Sequence, residues 1–580
     1  MVFTPPAWVP QLPFDPPDSI PLYEFVGNER YGRMPFNKSQ NPFTCGLTGK
    51  TYTHAEMRER QELLARSLSK RMGWQPNEDT PWDKVVGLYS PNTIDYLMST
   101  YAVHRLSGIV TPANAMYSAA ELEHQLKSSG SKVLFTAPSL LDSALKATRA
   151  SGIPDERVFL LDVPGQVPDP RFKTLDDLIA EGRSLPELEA LRWTKGQGAR
   201  QVAYLCYSSG TSGLPKAVMI AHRNIIANIM QIRWHEDGSR RQNGIETQTQ
   251  VGLLPMSHIY ALVVVVNTGA YRGDGSIVLP RFELKTFLES IQRFKINFMH
   301  LVPPIIIQLL RNQELCAKHD LSSVRFIYTG AAPLGAETHE EVLRAFPGIM
   351  LGQGYGMTET STVVVSTAEH DVVVGTSGSL LPGVRARLLD EDGRDIVEYG
   401  RRGELLLQSP SVTLGYLHNE RATSETFVFD GDGGRWIRTG DVAVVSLSPA
   451  GHEHFAVVDR LKELIKVKGH QVAPAELEAH LLTHPSVGDC AVIPVPDERA
   501  GEVPKAFVVK SASAAASGRP DAEVARDIAA HVEAHKARYK WLKGGVEFID
   551  AIPKSPSGKI LRRLLRDKER EARRAQGAKL

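Results

Sequence analysis

The chain has 580 residues, 42% hydrophobic and 23% charged, which excludes a disordered polypeptide and implies two or more domains. A formal net charge of +1 gives no global field for nucleic acid or an anionic membrane, so any anion site must be local. Cys45, Cys206, Cys316 and Cys490 are far apart and form no CxxC, which argues against a zinc site or a disulfide framework. Cys206 and Cys490 lie in apolar runs and are expected to be buried.

The N-terminus, MVFTPPAWVPQLPFDPP, has neither a basic start nor a continuous apolar run, so no secretory signal is expected. In CGLTGKT, the Gly49-Lys50-Thr51 triplet lacks the earlier glycine of a Walker A loop and reads as a turn before a helix capped by Thr53. KVVGLYS (84–90) predicts a buried strand, TIDYLMSTYAVHRL (93–106) a helix, SAAELEHQLKSSG (118–130) a second helix with a glycine stop, and KVLFTA (132–137) a strand. VGLLP (251–255), SIVLP (276–280), FIYTG (326–330) and IMLGQGYG (349–356) continue the alternation, which implies parallel sheets covered by helices. The longest apolar run, around Ile259–Val266, is well short of the ~18–20 residues that span a bilayer.

From about Gly375 to residue 458 the pattern changes to short strands with Asp-Gly turns, a small β-barrel-like subdomain. Beyond Asp459 an α+β pattern follows, with AELEAHLLTHP helical, DCAVIPVP and PKAFVVK as strands, and a long helix through DAEVARDIAAHVEAHK. The predicted fold is therefore α/β: an N-terminal domain over 1–458 and a small mobile C-terminal domain over 459–580.

YSSGTSGLPK (207–216) is the chemically pointed stretch. Ser208, Ser209, Thr211 and Ser212 supply hydroxyls, Gly210 and Gly213 free the backbone N–H groups, and Lys216 adds charge, as a phosphate-cradling loop requires. In QGYGMTE (353–359) Thr358 can bond phosphate, Glu359 can hold Mg²⁺ and Tyr355 offers a flat face to a purine. Asp441, in RTGD, can take a ribose diol through two hydrogen bonds.

YSSGTSGLPK, QGYGMTE, RTGD, VDRLKELIKVKGHQVAPAELE and PKSPSGKI, in this order, resemble the core motifs of the adenylate-forming enzymes across essentially the whole chain. That superfamily includes acyl-CoA synthetases, 4-coumarate:CoA ligases, beetle luciferases and peptide-synthetase adenylation domains, and HIYALVVV, VPPIII and HKARYKWLKGG look most like the fungal phenylacetyl-CoA ligases. The resemblance implies activation of a carboxylic acid by ATP and Mg²⁺ to an acyl-adenylate, then thioester formation with CoA. It assigns Ser208, Ser209, Gly210, Thr211, Ser212 and Lys216 to the β,γ-phosphates, Thr358 to the α-phosphate, Glu359 to Mg²⁺, and Gln353, Gly354 and Tyr355 to the adenine side. Asp441 and Arg460 would hold the ribose and Gln471 the nucleotide, while Lys559 would bridge the substrate carboxylate and α-phosphate. His258 would gate the passage from ATP to an acyl pocket walled by Tyr260, Val264, Ala331 and Gly354, with Lys462 and Lys466 near the acyl group. Arg281, Lys468 and Gly469 would meet CoA, and Asp459 would be the hinge.

Val263 and Val264 stand where 4-coumarate ligases carry polar residues, and a buried hydroxyl without a partner is penalised by ~1–3 kcal/mol, so phenylacetate or another unsubstituted aryl acid is expected. A medium-chain fatty acid or a hydroxycinnamate remains the alternative acid. A carrier-protein-loading enzyme, against which no carrier domain follows Leu580, and a luciferase-like oxygenase are the alternatives of another class. The ending Ala578-Lys579-Leu580 is one small-residue change from the peroxisomal address, so the import receptor is an expected partner and the peroxisome, otherwise the cytoplasm, the expected compartment.

Overall fold

The structure is a computed structural model, describing residues 1–208, 215–431, 433–468, 470–555 and 558–577. Four sheets organise it. In the first, Val85–Tyr89 and Ile109–Ala113 pair in parallel at the centre and are buried at every position, which is why both read as unbroken apolar runs. Val133–Thr136 and Val158–Leu160 extend it on one side, Val202–Ser208, Lys216–Ala221 and Gly415–Tyr416 on the other. The last three run antiparallel, with Ser208 paired to Lys216 and Met219 to Gly415.

The second sheet has nine strands and sets Thr249–Gly252, Phe298–Leu301, Phe326–Thr329 and Met350–Met357 parallel, with Thr362–Ser366 returning antiparallel. The strand at 251–255 is shorter and earlier than its apolar pattern suggests, because Leu253 and Leu254 leave the ladder to meet Asn92. Between the strands, the apolar run Tyr260–Thr268 is a nine-residue π-helix, every residue buried. Asn267 and Thr268 donate to the carbonyls five residues back, Leu262 and Val263, stabilising that wider winding.

The helices obey their caps. Thr53 and Ser118 each form a capping box, with Glu56 and Glu121, and Gly130 closes the second of these helices at φ +69°. The β-rich segment is an antiparallel sheet in which Arg435–Leu447 pairs with Gly403–Gln408 on one edge and with Phe427–Phe429 and Glu453–Arg460 on the other. A separate C-terminal domain has its own core around Ile465, Leu477, Val492, Val508 and Ile528. There the hairpin Val487–Asp497/Gly501–Lys510 backs onto helices Pro474–Leu481 and Asp521–His535. All four cysteines are free and buried.

Asn92 joins the two large sheets, a junction with no sequence signal beyond an ordinary loop asparagine. Its Nδ2 donates to the carbonyls of Leu253 and Leu254 at 3.0 Å and Leu279 at 3.2 Å, and its Oδ1 accepts from Met256 N–H at 2.8 Å. Asn92→Ala leaves buried carbonyls and an amide unpaired, so stability should fall by about 1–3 kcal/mol. Chemical denaturation should show it, and an unchanged midpoint would rule out this junction as a support.

Candidate active site

The site begins where the strand Met350–Met357 leaves the second sheet. Gly354 is obligatory there: a Cβ would overlap the Tyr328 hydroxyl, just as one on Gly356 would overlap the Thr362 carbonyl. Beyond a 3₁₀ turn at Thr358–Thr360, Ser361 has φ +57° and Thr362 φ +135°, strain held by Ser361 Oγ donating to Ser411 O at 2.8 Å and Thr362 Oγ1 to Ile259 O at 3.2 Å. The strained turn fixes Glu359, which is 5% exposed.

Glu359 Oε1 accepts from Ser208 Oγ at 3.1 Å and from Tyr416 Oη at 2.8 Å, and burial together with this carboxylate raises the Tyr416 pKa. No partner is recorded for Oε2 among the described residues, which leaves a hard oxygen donor beside the Ser208 hydroxyl, a donor set that fits Mg²⁺. Lys216 lies with its ammonium 4.9 Å from the Tyr416 ring centroid, on the same side of the hairpin as Ser208. Ser209, Gly210, Thr211 and Ser212, expected at the phosphates, lie outside the described residues, as do Gly469 and the C-terminal tripeptide.

Tyr355 turns from the strand toward the β-rich sheet, and its Oη donates to Asp441 Oδ2 at 2.6 Å. Arg460 pairs with Asp441 across the sheet and sets its Nε 3.8 Å from Oδ1. Burial pushes the Asp441 carboxyl up, with Arg460 and the tyrosine hydroxyl opposing that shift, and burial raises Tyr355 strongly. Asp441 thus lies in a dry place with the tyrosine hydroxyl on one oxygen and the Arg460 guanidinium near the other.

Lys559 enters from the C-terminal domain on a tight turn: Ser555 N–H donates to Lys559 O at 2.7 Å and Lys559 N–H to Ser555 Oγ at 3.2 Å. Gly558, at φ +81°, lets the turn lie against Val302 and Pro304 of the large domain. Burial pushes the Lys559 amine down to about 8; Arg460 pushes the same way, against Glu463, Asp441 and Glu359. Burial and Lys559 together push His258 down to about 4, so its ring is neutral at physiological pH. His258 sits at the head of the π-helix, its Nδ1 accepting Tyr260 N–H at 3.2 Å.

The structure thus brings together Ser208, Lys216, Gly354, Tyr355, Thr358, Glu359, Asp441, Arg460, His258 and Lys559. Other expectations fall elsewhere. Gln353 spends its amide on the Leu334 backbone, accepting at 3.1 Å and donating at 3.2 Å, and so holds the 330–335 loop instead of facing outward. Ala331 in that loop is exposed with φ +68°, and Val264 is buried in the core. Arg281, Lys462, Lys466 and Lys468 are exposed, Lys468 at φ +50°, and Gln471 Nε2 donates to Glu391 on the β-rich sheet.

Sequence reasoning missed two supports. Tyr416 anchors Glu359 from a strand two hundred residues beyond the hairpin it pairs with, and Arg562 forms buried pairs with Glu463 and Glu478 beneath Asp459. Asp459, 6% exposed, keeps its backbone in the large domain's sheet opposite Val442. Its Oδ2 meanwhile accepts from Ala475 N–H at 2.9 Å, in the first turn of a C-terminal-domain helix.

This fold and site define an adenylate-forming enzyme. The profile of the family described as AMP-binding enzyme matches residues 36–417, and that of the AMP-binding enzyme C-terminal domain residues 476–559; the chain belongs to the AMP-binding enzymes. It is 40% identical to the acyl-CoA ligase easD of Emericella nidulans over 98% of this chain and 100% of that one. It is 41% identical to the acyl-CoA ligase AFT1-1 of Alternaria alternata over 98% and 97%. Among solved structures it resembles ATP-bound MatB from Rhodopseudomonas palustris, TM-score 0.75 at 25% identity over 95% and 99% of the two chains. It shares the fold of the anthranilate CoA ligase AuaEII in complex with anthranoyl-AMP, TM-score 0.79 at 24% identity over 96% and 98%.

The depressed Lys559 can be measured without reference to any role. Competitive acetylation read by mass spectrometry should give half-maximal reactivity near pH 8, against about 10.4 for an unperturbed lysine. Arg460→Gln removes an opposing charge and should move that midpoint upward; a midpoint above 10 in the parent protein would disprove the placement.

Proposed function

We propose that the protein is an ATP-dependent acid:CoA ligase working through an acyl-adenylate, with an aryl acid, phenylacetate foremost, as substrate. The observation that carries the reaction is the convergence of Lys559, Glu359, Asp441 and His258 from separate elements on one cleft. A carboxylate attacking a phosphate brings two anions together, so positive charge and aligned donors must be in place beforehand. Asp441, with Arg460 beside it, takes the ribose hydroxyls; Tyr355 lies along the adenine; Thr358 donates to the α-phosphate; Ser208 and Lys216 face the leaving pyrophosphate. Mg²⁺, when bound by Glu359, supplies charge neutralisation at the phosphates. Lys559 donates to the carboxylate and the α-phosphate oxygen, and its desolvated ammonium interacts more strongly there than it would in water. Neutral His258 closes the passage without adding a charge.

The choice of acid rests on how the polar groups near the π-helix are spent. Tyr260 Oη donates to Tyr328 O at 3.1 Å, Tyr328 Oη pairs with Ser366 Oγ at 2.8 Å, and His300 Nε2 with Gln250 Oε1 at 3.0 Å. With those groups engaged, and Val263 and Val264 buried and apolar behind them, an acid bound beside the π-helix would find no partner for a phenolic hydroxyl. The named relatives are acyl-CoA ligases, which supports CoA as the acceptor. We place the enzyme in the peroxisome on its Ala578-Lys579-Leu580 ending.

Pyrophosphate and AMP release should be measured with ATP, Mg²⁺ and CoA across phenylacetate, 4-coumarate, hexanoate and octanoate. Phenylacetate should lead, Lys559→Ala should slow adenylation by roughly 10²–10³-fold, and thioester formation from supplied acyl-adenylate should be largely spared. Preference for 4-coumarate would overturn the reading of the wall, and equal loss in both halves the role of Lys559.

We propose further that Asp459 is the pivot on which the C-terminal domain turns to bring Lys468 and Gly469 to CoA. Asp459→Pro fixes φ, whereas Asp459→Ala removes the same bond to Ala475 and leaves φ free. Proline should abolish thioester formation while pyrophosphate release continues, and alanine should keep both; thioester synthesis by the proline variant would refute the pivot.

A further inference from the structure

The small domain carries a histidine cluster that the ligase reaction does not use. His480 ends the helix Pro474–Leu481, and His531 and His535 stand one turn apart on the helix Asp521–His535 packed against it. One ring nitrogen of each lies within 4.8 Å of the other two. His480 is buried, His531 half-buried and His535 exposed, so the cluster opens to solvent on one side.

The hydrogen bonds around the three rings decide their protons. The Thr483 hydroxyl donates to His480 O at 2.7 Å, so its contact with His531 Nε2 at 3.0 Å has the ring as donor. His531 therefore carries its proton on Nε2 and keeps a lone pair on Nδ1. His535 Nδ1–H donates to His531 O at 2.8 Å, leaving Nε2 free, and His480 Nε2–H donates to the same carbonyl at 3.3 Å, leaving Nδ1 free. Each imidazole thus donates one N–H to protein and keeps one unprotonated nitrogen, which a turn of its ring can offer to a metal. His484, whose ring centroid lies 5.2 Å from that of His531, differs: its Nδ1 accepts Ser486 N–H at 3.2 Å.

We propose that His480, His531 and His535 bind a divalent transition-metal ion of the Zn²⁺ class, with solvent in the fourth position. Three imidazoles with no carboxylate select Zn²⁺, Co²⁺, Ni²⁺ or Cu²⁺ and reject Mg²⁺, so this ion is distinct from the magnesium of the phosphates. Nitrogens on a tetrahedral ion at 2.0–2.1 Å stand about 3.4 Å apart, so metal binding would turn His480 and His531 out of the stack they now form, ring centroids 4.3 Å apart and planes 4° from parallel. The ion would pin two helices of the C-terminal domain to each other. The neighbouring Lys536 lies close enough to repel a cation at His480, which weakens the site without blocking it.

The test uses the full chain without a polyhistidine tag, stripped with chelator and titrated with Co²⁺. One equivalent should bind with the intense visible bands of tetrahedral cobalt; Zn²⁺ should displace it and excess Mg²⁺ should not. His535→Ala, at an exposed position, should weaken binding at least tenfold, and Thr483→Val, which frees the His531 ring, by about 10–100-fold. His484→Ala should change nothing. Absence of a tetrahedral spectrum, or the same spectrum and affinity in His535→Ala, would overturn the site, since the metal would then be absent or held elsewhere.

Discussion

A single amine, carried on one domain and tuned by the charges of another, is the interaction on which the arrangement turns. Lys559 owes its position to a turn that only a left-handed glycine closes against Pro304, and its low pKa first to burial and then to Arg460. Removing it from water costs free energy that Asp441, Glu359 and Glu463 only partly return. In the proposed reaction an incoming triphosphate would supply the missing counter-charge to both Lys559 and Arg460.

The other walls work by being finished already. Tyr260, Tyr328, His300, Gln250 and Ser366 satisfy one another inside the second sheet, and the π-helix satisfies its wide turns with Asn267 and Thr268. In the proposed reading, such a wall would admit apolar surface and offer nothing to an extra hydroxyl. Its rigidity also explains the concentration of strain nearby: Ala331, Ser361 and Thr362 keep positive φ because bonds from Gln353, Ser411 and Ile259 hold their loops on either side.

The parallel sheets and capped helices were legible in sequence because local chemistry and burial agree there: KVVGLYS and KVLFTA are apolar because both faces are covered, and Thr53 and Ser118 announce their helices. The site motifs stood out for a different reason, their glycine, hydroxyl and charged residues: Ser208 ends a strand and Glu359 follows one, while Tyr355 and Asp441 lie within strands whose side chains meet. What escaped was long-range pairing. Nothing near Tyr416 says that its hydroxyl reaches Glu359, nor near Asn92 that it bonds the ends of two strands in the other sheet. The run 259–266 shows the limit clearly, because its composition suits a buried strand or helix and only the carbonyl-seeking Asn267 and Thr268 select the π form.

The proposed pivot has a physical boundary of its own. Arg460 still pairs with Asp441, and Leu461 N–H donates to Gly440 O at 2.8 Å, so the large domain's sheet extends to there. Glu463 is bonded to Arg562, which also holds Glu478 at 2.6 Å and the Val492 carbonyl at 3.2 Å, so by that residue the chain belongs to the small domain. The turn between them, with the side chain of Asp459 reaching across to Ala475, is where rotation is absorbed with least loss. The contacts that such a rotation would change include Gln471 to Glu391, Arg311 to the Val487 carbonyl at 3.1 Å and Gly558 against Pro304, together with the buried apolar cluster of Val442, Leu464 and Ala473. The buried Arg562 network, bonding Glu463, Glu478 and the Val492 carbonyl, lies wholly on the small-domain side, so in the proposed rotation that domain would turn as one body and carry Lys559 out of the cleft.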